Sequence, residues 1–501
     1  MKARNILFFY FMVFMMIFAV SLYFPEKGVE LSNGVLLRFP SPSILFKKNV
    51  HYADINKILK GENTVSDSSE LSLYPPGVDT NLSAEMRAKL HRLQFPDNDR
   101  STIYNFLESL FQISQDKNQA LRIMHFGDSQ IEGDRMSSTI RYNLQSRFGG
   151  GGPGLVTIAD VVPAQSINRS VSPNWKRYTA FGGNSIKSPG KAYGPMLSFS
   201  RFTSFLPDSL ISDSIRYQAW VKFSPSKSAY SKTSNFNRIV MFMGYNKSNT
   251  IVELLKNENE EVTLDTILKN QYFRQISWHL SETPEKINFK ISGNDSPNLY
   301  GISFDNGEGI NVDNIPMRGS SGVDFVKTDL KMLEEYIRLM NVKLLILQFG
   351  VNVAPNVVEN YKFYEDWLYN NLMALKNHSP ELNIIVIGIS DMARKNEATG
   401  AYESLPNIKK IRDAQKNAAF RAKCAFWDIY EAMGGENSMP SWVYANPPLA
   451  VTDFTHFNAE GARYISQMFV NALIAEYTDY EQGRKKTIKT DSNNIKNGKN
   501  Q

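Results

Sequence analysis

Four short strings carry residue types that acyl-transfer chemistry uses. They are "GDSQ" with Ser129, "RGSSG" ending at Gly322, "QFGVN" ending at Asn352, and "DFTH" with Asp453 and His456. A serine hydroxyl becomes a nucleophile when a base takes its proton, and the attacked carbonyl needs donors aimed at the oxyanion that forms. Ser129 offers the hydroxyl and His456 the base. Asp453, three positions before the imidazole, can hold it in the tautomer that accepts a proton. The Asn352 amide and the backbone N–H groups of Ser129 and Gly322 are candidate oxyanion donors, with Gly319 as the alternative glycine. Each residue alone has a plainer reading: Ser129 as a helix N-cap, Asn352 as a turn residue, Asp453 and His456 as a surface pair. Their joint appearance at the ends of predicted strands favours chemistry.

Those strands are read from the apolar pattern. Residues 121–126 form an apolar run that gives way to the polar turn at Ser129. Met136, Ile140, Leu144 and Phe148 then share one helical face, and the glycines from Gly149 to Gly154 stop that helix. These glycines follow a helix and lack a Lys-Ser/Thr, so they do not make a phosphate loop. Continuous apolar runs at 342–350 and 383–390 and the string "CAFWDI" read as buried parallel strands, alternating with helices at 361–375, 408–422 and 458–477. An earlier helix is predicted at 103–113. Residues 161–304 lack helical period and read as short strands between turns, a β-sandwich. The predicted architecture is one α/β domain, 96–160 and 305–480, interrupted by an inserted β domain at 161–304. Residues 25–95, rich in Pro and Ser clusters, read as a stalk with short helices, and 481–501 as a disordered tail.

The chain has 501 residues and a net charge of +6. Much of the positive excess lies in the tail, without basic helices or aromatic interleaving, so nucleic acid is not expected as a partner. Lys2 and Arg4 precede an apolar run from 6 to 20 that reaches Phe24 with Ser21 as its interruption. Bulky Leu22, Tyr23 and Phe24 stand where a signal-peptide cleavage site wants small residues. The reading is an uncleaved membrane anchor with the bulk of the chain on the extracytoplasmic side, a cleaved signal peptide being the alternative. One cysteine, Cys424, excludes a disulfide scaffold and reads as a core residue. Asp128 reads as structural, bonding turn amides, and Glu132 and Asp134 as solvated residues of the first helical turn. His125 is expected to be satisfied within the strand. His51, His91, His279 and His378 have no partners at ligand spacing, so neither metal nor cofactor is expected.

G-D-S, a glycine, G-x-N and D-x-x-H, in that order, resemble the four blocks of the SGNH (GDSL-type) hydrolases. The segment from Gly127 to Gly154 also resembles bacterial peptidoglycan O-acetylesterases. The likeness covers roughly residues 100–160 and 310–475. It implies a flavodoxin-like three-layer α/β/α sandwich with a carbohydrate-binding-like β module inserted. It further implies a catalytic set of Ser129, Asp453 and His456, with Ser129, Gly322 and Asn352 around the oxyanion. Gln130 departs from the His or Leu common after the serine, and "RGSSG" stands where an N-G-A-like string is usual. The implied activity is removal of O-acetyl groups from a cell-envelope glycan such as peptidoglycan. A transferase working with an integral-membrane acyl donor would use the same residues. A glycan-binding protein with an idle site is the third reading, in which Trp175, Trp220 and Trp278 would stack on sugars unless they pack the core.

Overall fold

Five strands form a parallel sheet: β1 (Ala120–Gly127), β2 (Gly309–Pro316), β3 (Val342–Gln348), β4 (Asn383–Ile387) and β5 (Ala425–Trp427). Their spatial order is β2-β1-β3-β4-β5, and every neighbouring pair is parallel. In this doubly wound order the chain direction switches between β1 and β3. A crevice at the carboxyl ends is the natural place for a site. The computed structural model describes residues 3–25, 29–31, 35–37, 39, 50–55, 91–183, 185–257, 260–397 and 399–498. Most of the expected stalk lies outside these residues.

The runs of β3, β4 and β5 are mainly apolar because both faces of the sheet are covered. Ile123, Leu344, Ile346 and Ile385 pack with helices Tyr104–Gln115, Ser137–Phe148 and Ala459–Gly498. Their strand neighbours Met124, Leu345, Leu347 and Val386 pack with helices Leu330–Leu339, Lys362–His378 and Ile408–Arg421 on the other side. The result is a mixed α/β fold of three layers around the parallel sheet.

Between β1 and β2 the chain builds two antiparallel sheets. One has the order Glu260–Ile267, Thr250–Lys256, Ile287–Gly293, Tyr217–Pro225, Ile167–Val171. The other has the order Arg274–His279, Arg238–Gly244, Asn298–Asp305, Ser198–Arg201, Lys176–Thr179, with Gly154–Val156 paired to Asn298–Asp305. Val221, Phe289 and Val252 of the first face Ile239, Met241 and Phe304 of the second in a shared apolar core. The second sheet is buried on its other side too. Phe242 meets Tyr336 of helix Leu330–Leu339 edge to face, with ring centroids 5.0 Å apart.

Two elements were not foreseen from sequence, and one expectation is corrected. β2 reads "GINVDNIP", too polar and Pro-marked to look like a buried strand. It is buried because Asp313 is taken up by Arg122 of β1 and by the Tyr336 hydroxyl. Helix Leu330–Leu339 was likewise missed. The tail expected to be disordered from 481 is helical to Gly498 as a continuation of the last helix. Glu481 pairs with Lys485 one turn on, and Arg484 and Tyr480 both bind Glu108 of helix Tyr104–Gln115.

At the other terminus, Ala3–Tyr23 is one helix. Its stretch Arg4–Tyr23 has mean hydropathy 2.4 with 6% of the window buried. Its length and composition suit a membrane span, and a signal sequence passes the same test.

Candidate active site

β1 ends at Gly127 beside β3, where a Cβ would stand 2.9 Å from the Gln348 carbonyl oxygen. Glycine therefore permits the close approach from which the chain turns. The Asp128 N–H donates to the Gln348 carbonyl, and the Asp128 carboxyl accepts from the Gln130 and Val351 amides at 3.0 and 3.3 Å. Burial pushes the Asp128 carboxyl up to about 7, against the amide bonds that favour its ionised form. Asp128, not Ser129, is thus the N-cap of the short 3-10 turn Ser129–Asp134. The serine hydroxyl is left half-buried and available.

The Ser129 Oγ lies 2.8 Å from His456 Nε2, and His456 Nδ1 lies 2.7 Å from Asp453 Oδ2. The loop after Val451 brings this about. Asp453 Oδ1 also accepts the backbone N–H groups of Thr455 and His456 at 2.9 and 3.0 Å, and Phe454 takes a positive φ of 56°. Partial burial alone pushes the Asp453 carboxyl up. Hydrogen bonds from the His456 ring and from the two amides outweigh it and hold the group below the ordinary carboxylate range. The carboxylate is therefore charged where it faces Nδ1, which places the ring proton on Nδ1 and leaves Nε2 to accept from the serine.

The expected oxyanion donors come together unevenly. Asn352 is exposed just beyond β3, its Nδ2 donating to the Ser320 carbonyl at 2.9 Å with a second N–H to spare. Gly322 is buried. Its N–H is used by Ser320 Oγ at 3.0 Å, and a Cβ there would strike the Phe349 ring at 2.7 Å. Gly319 is the exposed glycine of the loop, with φ +79°. It follows Met317, whose N–H donates to the Gly127 carbonyl next to the serine turn. The register of β2 on β1 sets Pro316 opposite Gly127, so the RGSSG loop leaves β2 level with the end of β1. Gly319 is thus the exposed glycine of the string and Gly322 the buried one, with its N–H engaged inside the loop.

Glu132 and Asp134 correct the expectation of solvated residues. Gly133 and Asp134 take positive φ values of 68° and 65°, which fold the turn back before helix Ser137–Phe148 begins. Both carboxylates are buried as a result. Glu132 receives Arg318 through two bonds of 2.6 Å, and Asp134 receives Arg141. His125 is fully buried, its ring nitrogens on Ser137 Oγ and Gln348 Oε1, and burial lowers it to about 4, so it stays neutral. Cys424 is buried and its thiol pushed up to about 12. Trp278 packs in the core between the two sheets, while Trp175 and Trp220 are half-buried. Among the described residues no group of three His, Cys, Asp or Glu side chains is arranged to hold a metal ion.

The parallel sheet of order 2-1-3-4-5 carries a Ser–His–Asp hydrogen-bond chain beside its switch point. No family model matches the sequence, and no curated protein matches it. Among solved structures, a peptidoglycan O-acetylesterase is similar over 77% of this chain and 99% of its own, at 19% identity and a TM-score of 0.60. The chain shares the fold of that structure. A putative GDSL-like lipase from Bacteroides ovatus aligns over 62% of this chain and 98% of its own, at 11% identity and a TM-score of 0.25. An acetyl xylan esterase aligns over 32% of this chain and 81% of its own, at 16% identity and the same TM-score. Similarity at those two scores carries no weight.

Proposed function

We propose that the chain is a serine esterase that removes O-acetyl groups from a cell-envelope glycan, with peptidoglycan as the first substrate to test. The observation that carries this is the continuous relay from Ser129 Oγ through His456 to Asp453 at the carboxyl ends of β1 and β3. In this reading Ser129 attacks the acetyl carbonyl and His456 Nε2 takes its proton. Asp453 stabilises the imidazolium. The oxyanion is held by the Ser129 N–H, the Asn352 amide and the Gly319 N–H, with Gly322 shaping the loop from behind. His456 returns the proton to the departing sugar hydroxyl. Water then enters, gives its proton to His456, and releases acetate from Ser129.

The apolar N-terminal helix supports attachment to a membrane with the catalytic domain on the extracytoplasmic side, where such a glycan would be met. A transferase differs only in the second acceptor, a sugar hydroxyl in place of water, and would draw its acyl group from an integral-membrane partner. The residues in 161–304 support a carbohydrate-binding role for the two-sheet module. A cleft of about 620 Å³ on its outer face is lined by Asn168, Ser170, Lys222, Asn288 and Lys290, with Trp220 opposite Lys290 in register. Polar amides, cations and an indole suit an anionic sugar chain.

The test is acetate release by the full chain, purified in mild detergent, from O-acetylated peptidoglycan with no added acceptor. Release abolished in Ser129→Ala supports the esterase. Release only when a second glycan is supplied supports the transferase. Retention on the glycan without release in either case supports the binding protein.

A further inference from the structure

Gln130 follows the proposed nucleophile directly, and it is 1% exposed. Its side chain is fully committed, and to one loop above all. Nε2 donates to the Thr455 carbonyl at 2.9 Å and to Ser390 Oγ at 3.2 Å, and Oε1 accepts the Phe457 N–H at 3.1 Å. Thr455 and Phe457 are the residues on either side of His456. One amide therefore grips the backbone before and after the imidazole, from the position next to the serine.

We propose that Gln130 is a positioning residue that sets the distance between the Ser129 hydroxyl and the His456 ring, an assignment that rests on the esterase reading above. The two loops are 327 positions apart in sequence, and their side chains must meet at 2.8 Å. Asp453 fixes the imidazole within its own loop, through bonds to the ring and to the His456 and Thr455 amides. It does nothing to fix that loop relative to β1. Gln130 does, because its own N–H is held by Asp128 at the end of β1 while its amide reaches the far loop. Arg135 adds a second tie, from the Glu132 carbonyl to the Phe457 carbonyl, at 2.9 and 3.3 Å. The chemistry of the three contacts selects glutamine. Two donors must face Thr455 and Ser390, and one acceptor must face Phe457. Leucine fills the space with none of them. Glutamate keeps the acceptor and, when ionised, sets a lone pair against the Thr455 carbonyl.

The experiment compares wild type, Gln130→Leu and Gln130→Glu as full chains on a soluble aryl acetate, with fluorophosphonate labelling of Ser129 and melting temperature measured alongside. Misplacement of reacting groups by about 1 Å can cost on the order of 10²-fold in rate. Gln130→Leu is expected to lose at least ~10-fold in kcat and in labelling rate with KM held within about twofold. The ratio of Gln130→Glu to wild-type kcat at the same pH is expected to be higher at low pH, where the protonated acid again offers a donor to Thr455, and to fall as pH rises. A Gln130→Leu protein that melts lower yet keeps wild-type kcat overturns the proposal, since that is the signature of packing alone. If the leucine variant does not fold, the glutamate variant decides: a pH profile identical to wild type overturns it. Failure of wild type itself to label at Ser129 would instead overturn the esterase reading.

Discussion

Two constellations of charged and hydroxyl side chains sit on β1, one in its middle and one just past its end, and they behave in opposite ways. In the middle, Arg122 binds Asp305 and Asp313, with side-chain exposures of 1%, 0% and 0%. Ser303 and Tyr336 close the group around them. This knot joins the parallel sheet to the neighbouring antiparallel sheet. Burial alone would lower the Arg122 guanidinium, but Asp313 and Asp305 more than reverse it, so every charge has a permanent partner. Past the end, His456 and Asp453 keep 25% and 46% of their side chains exposed, and among the described residues the Ser129 hydroxyl has a base but no second partner. Charged and hydroxyl side chains thus make a mortar where they are dry and paired, and a relay where solvent can reach them. Exposure with a directed but unfinished hydrogen-bond chain distinguishes the two.

Breaking each constellation should separate rate from stability. Ser129→Ala is expected to lower ester hydrolysis by ~10⁴-fold or more while leaving the melting temperature within a few degrees. Steady-state kinetics and calorimetry on the same preparation check both halves. Arg122→Met is expected to do the reverse. It strands two buried carboxylates and should cost about 3–5 kcal/mol of stability, read from denaturant midpoints, with any active fraction keeping its KM. Asn352→Ala is expected to reduce kcat on the order of 10²-fold without a matching loss of stability, since an exposed amide donor acts when the oxyanion forms.

A pH-dependent effect on stability is expected at Asp128, which lies between Arg122 and Ser129 in the chain and is as buried as Arg122. Its carboxyl is raised from 3.8 to about 7 in the folded chain. Between those values the folded chain holds a proton that the unfolded chain has lost, so the unfolding free energy falls as pH rises through that window. Asp128→Asn removes the titration. The melting advantage of wild type over Asp128→Asn should therefore be larger at pH 4 than at pH 8, and thermal melts at the two pH values check the sign.

Much of this was legible in the sequence, for identifiable reasons. Ser129, Asn352, Asp453 and His456 are polar residues placed directly after apolar runs or before the last helix, and such runs mark parallel strands without knowledge of their neighbours. What escaped depended on ion-pair and hydrogen-bond partners that only the folded chain brings together. β2 hides an aspartate that only Arg122 makes tolerable. Glu132 and Asp134 are buried because Arg318 and Arg141 receive them, which no local pattern announces. Gly319 and Gly322 are three residues apart in one string, and their difference in exposure and the Ser320 hydroxyl's hold on the Gly322 N–H appear only once the loop is folded. Gln130 looked like a departure from a motif; its meaning lies in a loop 325 positions downstream.

The most direct measurement is the site of covalent capture. A fluorophosphonate, which mimics the tetrahedral adduct, is added to the full chain and the modified residue is identified by peptide mass spectrometry. Modification at Ser129, much slowed in His456→Ala and absent after heat denaturation, is the expected result. Modification of other serines at equal rates, or none at Ser129 at neutral pH, would contradict a nucleophile at this position.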